Sequence, residues 1–113
     1  MTELAIEAQH AAIVRTILQT YVYDFAVWVF GSRATGLVKP FSDLDLVIMT
    51  KAPLPASRLA DLREAFDDSD LPYRVDIVDW ASTSAEFQEI IRASAVEFYP
   101  GSSSEAPRAN EAR

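Results

Sequence analysis

Phe25-Ala26-Val27-Trp28-Val29-Phe30-Gly31-Ser32-Arg33-Ala34, followed after a short connection by Ser42-Asp43-Leu44-Asp45-Leu46-Val47-Ile48-Met49, decides how this chain folds. The first run is continuously apolar, rich in β-branched and aromatic residues, and stopped by a glycine. That pattern predicts a strand buried on both faces. The second run alternates, with Leu44, Leu46 and Ile48 on one face and Asp43, Asp45 and Val47 on the other. The connection from Gly31 to Ser42 is too short for the helical crossover that parallel neighbours need, so these two strands are predicted to pair antiparallel.

Before this stretch, residues 4–21 place Ile6, Ile13, Val14, Ile17, Leu18 and Tyr21 at helical spacing, with His10 filling the gap in the stripe. After it, Pro53 and Pro55 open a helix whose buried stripe is Leu59, Leu62 and Phe66. Asp67, Asp68 and Asp70 oppose the macrodipole of that helix, which predicts a frayed end. Pro72 leads into a third strand, Tyr73 to Asp79, which the intervening helix can return parallel to the second. Thr83 and Glu86 have capping-box spacing, predicting a last helix with Phe87, Ile90, Ile91 and Phe98 on its stripe. The order α-β-turn-β-α-β-α describes an α/β (α+β) domain over residues 1–99, a small mixed β-sheet with helices packed on it. Residues 100–113 have almost nothing apolar to bury and read as a disordered polar tail.

A chain of 113 residues supports one layered core and not two. The absence of cysteine excludes disulfides, thiolate-bound zinc and thiol nucleophiles, and fits a reducing cytoplasm. Met1-Thr2-Glu3-Leu4 lacks the features of a secretory signal, and no apolar run reaches the roughly 18–20 residues of a membrane helix. A cytoplasmic, membrane-free protein is expected. The net charge is −7 and the ten lysines and arginines are scattered, so a long nucleic acid is not expected as the primary ligand. A single nucleotide arriving with its own magnesium is compatible with that charge, and an acidic surface suits a basic protein partner.

The chemistry-bearing residues cluster in the same stretch. Asp43 and Asp45, two apart on a strand, offer carboxylates to one side and can share hard cations. Asp76 lies mid-strand between Val75 and Ile77, where an ionised side chain needs a charge partner, and a metal is a natural one. Three carboxylates from adjacent strands would form a two-magnesium site for nucleotidyl transfer. Each also has a plainer reading: Asp-x-Asp after serine caps turns, Asp76 can face solvent at a sheet edge, and Asp79 can be an ordinary strand-end acid. Gly31 permits close backbone approach, and a helical turn starting at Ser32 would present N–H groups and a hydroxyl to phosphate. Arg33, Lys39 and Ser42 can add phosphate contacts, although the arginine and the lysine read more readily as surface residues, while for Ser42 the two readings are balanced. No Gly-Lys-Ser/Thr follows, which argues against a P-loop. His10 reads as a packed residue, and Trp28 and Trp80 as core.

Taken in order, Gly31-Ser32-Arg33-Ala34, Ser42-Asp43-Leu44-Asp45-Leu46 and Val75-Asp76-Ile77-Val78-Asp79 resemble the signature of the polymerase-β-like nucleotidyltransferase superfamily. More narrowly they resemble the minimal nucleotidyltransferases of bacteria and archaea, over a span from the first helix to about Phe98. The resemblance implies that Gly31 and Ser32, with Arg33 and Ser42, bind the triphosphate of a nucleotide such as ATP. It implies that Asp43 and Asp45 ligate two Mg2+ ions, and that Asp76 completes the metal site beside the acceptor hydroxyl. AMP would be transferred and pyrophosphate released. Small members of this family commonly pair with a separately encoded helical-bundle subunit, often of the HEPN type, and in several pairs act as the antitoxin, in some by adenylylating a tyrosine of the toxin. A hetero-oligomer is therefore expected, and the shortness of the chain fits a partner that completes the acceptor pocket. Two other readings compete: an antitoxin acting by contact alone, and transfer to a small molecule such as an aminoglycoside, which usually requires an extra domain.

Overall fold

The structure, a computed structural model, describes residues 6–35 and 42–101. Helix α1 (Ala8–Tyr21) leads to strand β1 (Val27–Phe30), the single helical turn α2 (Ser32–Thr35) and strand β2 (Leu44–Ile48). Helix α3 (Ala56–Asp67), strand β3 (Val75–Asp79), a 3-10 turn (Trp80–Ser82), helix α4 (Ala85–Ser94) and strand β4 (Val96–Tyr99) complete it. The strands form one sheet in the order β3-β2-β1-β4. β1 runs antiparallel to β2 and β4, while β2 and β3 are parallel. Both pairings read from the connection lengths are present.

The sheet separates two apolar clusters, and the period of β2 decides which residue joins which. Leu44, Leu46 and Ile48 point with Val27, Val29 and Ile77 into the larger core, against Val14 and Leu18 of α1 and Leu62 and Phe66 of α3. Val47 and Phe30 point the other way and meet Ile91 of α4, with Trp28, Met49, Val78, Trp80 and Phe87 packed around them. Asp45 and Asp76 share this second, more thinly covered face by strand phase.

The structure corrects the sequence reading at the end of the domain. The last helix stops at Ser94, because Ala95 adopts extended backbone (φ −68°, ψ 144°). Phe98 is not on that helix: it lies in β4 at 8% exposure and packs in the larger core. Ile90, placed on the buried stripe, is 61% exposed. The cap of this helix is Ser84, whose Oγ accepts from the Phe87 N–H at 3.1 Å. Thr83 instead finishes the preceding 3-10 turn, donating to the Trp80 carbonyl at 2.7 Å. The acidic end of α3 is tied off rather than loose. Ser69 Oγ donates to the Phe66 carbonyl at 2.7 Å and accepts from the Leu71 N–H at 3.3 Å. Gly101, assigned by composition to the tail, is buried at positive φ (70°) against the backbone of Phe25. The first helix begins at Ala8 rather than near residue 4, because Glu7 adopts extended backbone (φ −64°, ψ 149°). Lys39, residues 4–5 and the tail beyond residue 101 lie outside the described residues. No helix among the described residues is long and apolar enough to cross a membrane.

Phe98→Ala should cost about 3–4 kcal/mol of unfolding free energy in a urea titration. Ile90→Ala should stay within about 0.5 kcal/mol. Equal losses at the two positions would contradict the helix stop and the inward face of β4.

Candidate active site

Gly31 closes β1 with φ 76°, a conformation that L side chains rarely adopt. Its carbonyl accepts from the N–H groups of Ala34 and Thr35 at 3.1 and 3.2 Å, which starts the turn α2 at Ser32. A Cβ on Gly31 would overlap Oδ2 of Asp45 and lie 3.3 Å from its Cγ. The turn and the carboxylate therefore occupy abutting space that only glycine leaves open.

Sheet register brings Asp45 there. Phe30, the residue before the glycine, is the antiparallel partner of Asp45, and Asp76 is its parallel partner on the other side. Asp45 thus sits centrally, between the Gly31 turn and Asp76. Asp43 lies exposed just before β2. Burial, then the negative charges of Asp76 and Asp43, push the Asp45 carboxyl up to about 6. Asp76 has a counter-charge: Nε and Nη2 of Arg74 lie 3.4 and 3.3 Å from its Oδ1. The need for a partner at this mid-strand acid was legible; an arginine fills it in this structure, at an edge strand open to solvent.

Among the described residues, no three carboxylates are drawn together closely enough to hold a metal as they stand. Asp45, Asp76 and Asp43 nevertheless suit a hard divalent cation. They offer oxygen donors only, and their mutual repulsion is what such a cation would relieve. Beside them opens a cleft of about 710 Å³ lined by Asp45, Asp76, Phe30, Phe87, Arg63 and Arg74. Arg63 donates to the Ile77 carbonyl at 3.2 Å. The cleft accordingly has an acidic floor and basic, aromatic walls.

Of the residues expected at the nucleotide, Gly31 and Ser32 lie at the corner beside Asp45, and Ser42 is half-buried at the entry to β2. Arg33 is placed differently. It is 5% exposed, its Nε and Nη2 donate to the Ser42 carbonyl at 3.1 and 2.8 Å, and its guanidinium stacks 3.8 Å from the centre of the Tyr73 ring. A group engaged in this way is turned to the chain itself. Asp79 is buried and accepts from the Leu54 N–H and Ser82 Oγ, both at 3.0 Å, so it ties loops together rather than lining the cleft. His10 packs edge-on to Tyr73, as its position on the apolar stripe suggested. Arg63, Tyr73 and Arg74 were not singled out from sequence. The one available signal was that Tyr73 and Arg74 lie just ahead of the candidate ligand Asp76; the strand predicted from Tyr73 starts at Val75.

A glycine corner abuts a strand carboxylate, with a second carboxylate in register on the neighbouring parallel strand. Residues 11–101 match the family model of the nucleotidyltransferase domain, and the chain belongs to that family. It is 53% identical over 90 residues to the probable protein adenylyltransferase MntA of Haemophilus influenzae, covering 80% of this chain and 79% of that protein. A toxin-antitoxin complex crystallised with AMP-PNP aligns at TM-score 0.66 and 20% identity, over 79% of this chain and 72% of that one. The complex of a tri-AMPylated HEPN toxin with its MNT antitoxin from Shewanella oneidensis aligns at TM-score 0.60 and 16% identity, over 79% and 68%. At these identities the structural matches speak for the fold.

Two outcomes follow from the geometry. Gly31→Ala should lower nucleotidyl transfer at least about 100-fold, because strain at positive φ and overlap with Asp45 both displace the carboxylate. For Asp45 the sign is the reverse of a stabilising acid. Its folded-state pKa, about 6, is raised above 3.8, so metal-free protein should lose stability as pH rises from about 4 through 6. Asp45→Asn should remove that loss and stabilise the metal-free protein at neutral pH by about 1 kcal/mol, after discounting for solvent screening. Thermal melts against pH read it directly, and a destabilised Asn variant would contradict it.

Proposed function

We propose that this enzyme transfers AMP from ATP to a hydroxyl of a separate helical-bundle, HEPN-type protein in the cytoplasm, using two magnesium ions held by Asp43, Asp45 and Asp76, and thereby serves as an antitoxin. The observation that carries this reading is the position of Asp45, wedged between the Gly31 corner and Asp76. The Gly31 corner thus lies directly beside one of the carboxylates that a magnesium-bound triphosphate needs. Magnesium, when bound, screens the triphosphate and lowers the pKa of the attacking hydroxyl. Gly31, Ser32 and Ser42 hold and orient the phosphates. Asp76, on the edge strand, lies where the acceptor arrives and takes the hydroxyl proton on a carboxylate oxygen. The acceptor oxygen forms a bond to the α-phosphorus, the bond from that phosphorus to the bridging oxygen breaks, and pyrophosphate leaves with the electron pair.

A protein acceptor is supported by the adenylyltransferase activity named for the relative in Haemophilus influenzae. A helical toxin as partner is supported by the toxin-antitoxin complexes among the structural matches, and a hetero-oligomer follows. The position of the cleft agrees: it is lined by residues of β3, the edge strand of the sheet.

The test mixes this chain, a HEPN-type helical protein that co-purifies with it, magnesium and ATP labelled on the α-phosphate. Label should appear on the partner, none should appear from γ-labelled ATP, and Asp43→Asn/Asp45→Asn should lower the signal at least about 100-fold. If the double variant labels as well as wild type, the reading fails. If it labels nothing yet still protects cells from the partner, contact alone neutralises the toxin. Labelling should also decline below about pH 6, where Asp45 takes up a proton, with the midpoint moving lower as magnesium is raised.

A further inference from the structure

We infer that Arg33 is a positioning residue that locks the phosphate corner to both carboxylate strands, acting through the Ser42 carbonyl and the Tyr73 ring rather than on the nucleotide. The inference deepens the proposed function and rests on its metal site.

Three short segments carry that site: the corner at Gly31-Ser32, the entry to β2 at Ser42-Asp43, and the entry to β3 at Tyr73-Arg74-Val75-Asp76. One guanidinium touches a residue at the second and third and is joined to the first by the chain. Arg33 follows Ser32 directly and is buried. Its Nε and Nη2 converge on the carbonyl of the peptide linking Ser42 to Asp43, at 3.1 and 2.8 Å, so the tilt of that peptide, and with it the start of Asp43, is fixed from the corner. Its flat face lies 3.8 Å from the centre of the Tyr73 ring, three residues before Asp76. The neighbouring peptide completes the link, since the Leu44 N–H donates to the Arg74 carbonyl at 2.9 Å.

Tyr73 is held for its ring. Its O–H is buried and finds no hydrogen-bond partner among the described residues, while the ring takes Arg33 on its face and His10 at 5.5 Å and 90°. A fork of two N–H donors combined with a stacking face is what guanidinium supplies and ammonium does not.

The experiment compares Arg33→Ala, Arg33→Lys, Tyr73→Phe and Tyr73→Leu with wild type. Mn2+ binding to nucleotide-free protein is read by paramagnetic resonance, and nucleotidyl transfer is followed kinetically with the partner present. Both Arg33 variants should bind Mn2+ at least about 10-fold more weakly and lose about 30-fold or more in kcat, with KM for ATP changed less than about 3-fold. Millimolar guanidinium ion should restore part of kcat to Arg33→Ala and none to Arg33→Lys. Tyr73→Phe, which keeps the ring, should match wild type, and Tyr73→Leu should resemble the Arg33 variants. That tyrosine pair also decides the matter if Arg33→Ala does not fold. A raised KM for ATP with unchanged nucleotide-free Mn2+ affinity would make Arg33 a phosphate contact and overturn the inference, as would loss of function in Tyr73→Phe. If wild type itself binds no Mn2+ and transfers nothing, the magnesium-site reading has failed. If wild type does both and the Arg33 variants equal it, only the positioning role has failed.

Discussion

The missing side chain at Gly31 sets the arrangement of everything chemical in this protein. β1 must end there at positive φ so that the chain can turn into α2, and the antiparallel register places Asp45 against the same spot. Any Cβ would overlap the Asp45 carboxylate, so strand end, turn and acid are one packing unit. Because register in a half-buried sheet can slip only by turning every side chain to the wrong face, the hydrophobic alternation of β2 holds Asp45 in place as firmly as the glycine does.

The two faces of the sheet divide the labour. The larger core, filled by α1 and α3, carries the apolar burial that holds the domain together. The other face is covered chiefly by α4, leaving its lower-dielectric floor shared between Val47 and Phe30 and two carboxylates. Burial strips Asp45 of part of its hydration and the charges of Asp76 and Asp43 repel it, which together push its carboxyl up to about 6. The domain tolerates this local conflict because the opposite face supplies the stability. Sites of function are where such conflicts are expected.

Much of this was legible from residues in sequence, and the reasons for the exceptions are physical. The run Val27–Phe30 and the alternation Leu44–Ile48 each bear one periodicity, and the short connection between them left only antiparallel pairing. Asp45 and Asp76 could be assigned to one face because strand phase is a local property, whereas Asp43 lies exposed just before β2. β4 was hidden because Phe98 stands seven residues after Ile91, a spacing that continues a helical stripe as well as it fits an inward strand position, and only Ala95 separates the two elements. Thr83 and Ser84 are adjacent hydroxyls, and the choice of cap depended on how the preceding 3-10 turn closed. The burial of Arg33 had no local signal. Its partners are a carbonyl nine residues away and a ring forty residues away, and only the folded sheet brings them together.

β3 is the outermost strand of the sheet, and it carries Asp76. One wall of the cleft is therefore a border of the molecule rather than a part of it. A molecule docked at that border would complete the wall without contributing to the turn, the register or the acids that line the cleft. Residues along that rim can be changed without touching Gly31, Asp45 or the packing between them.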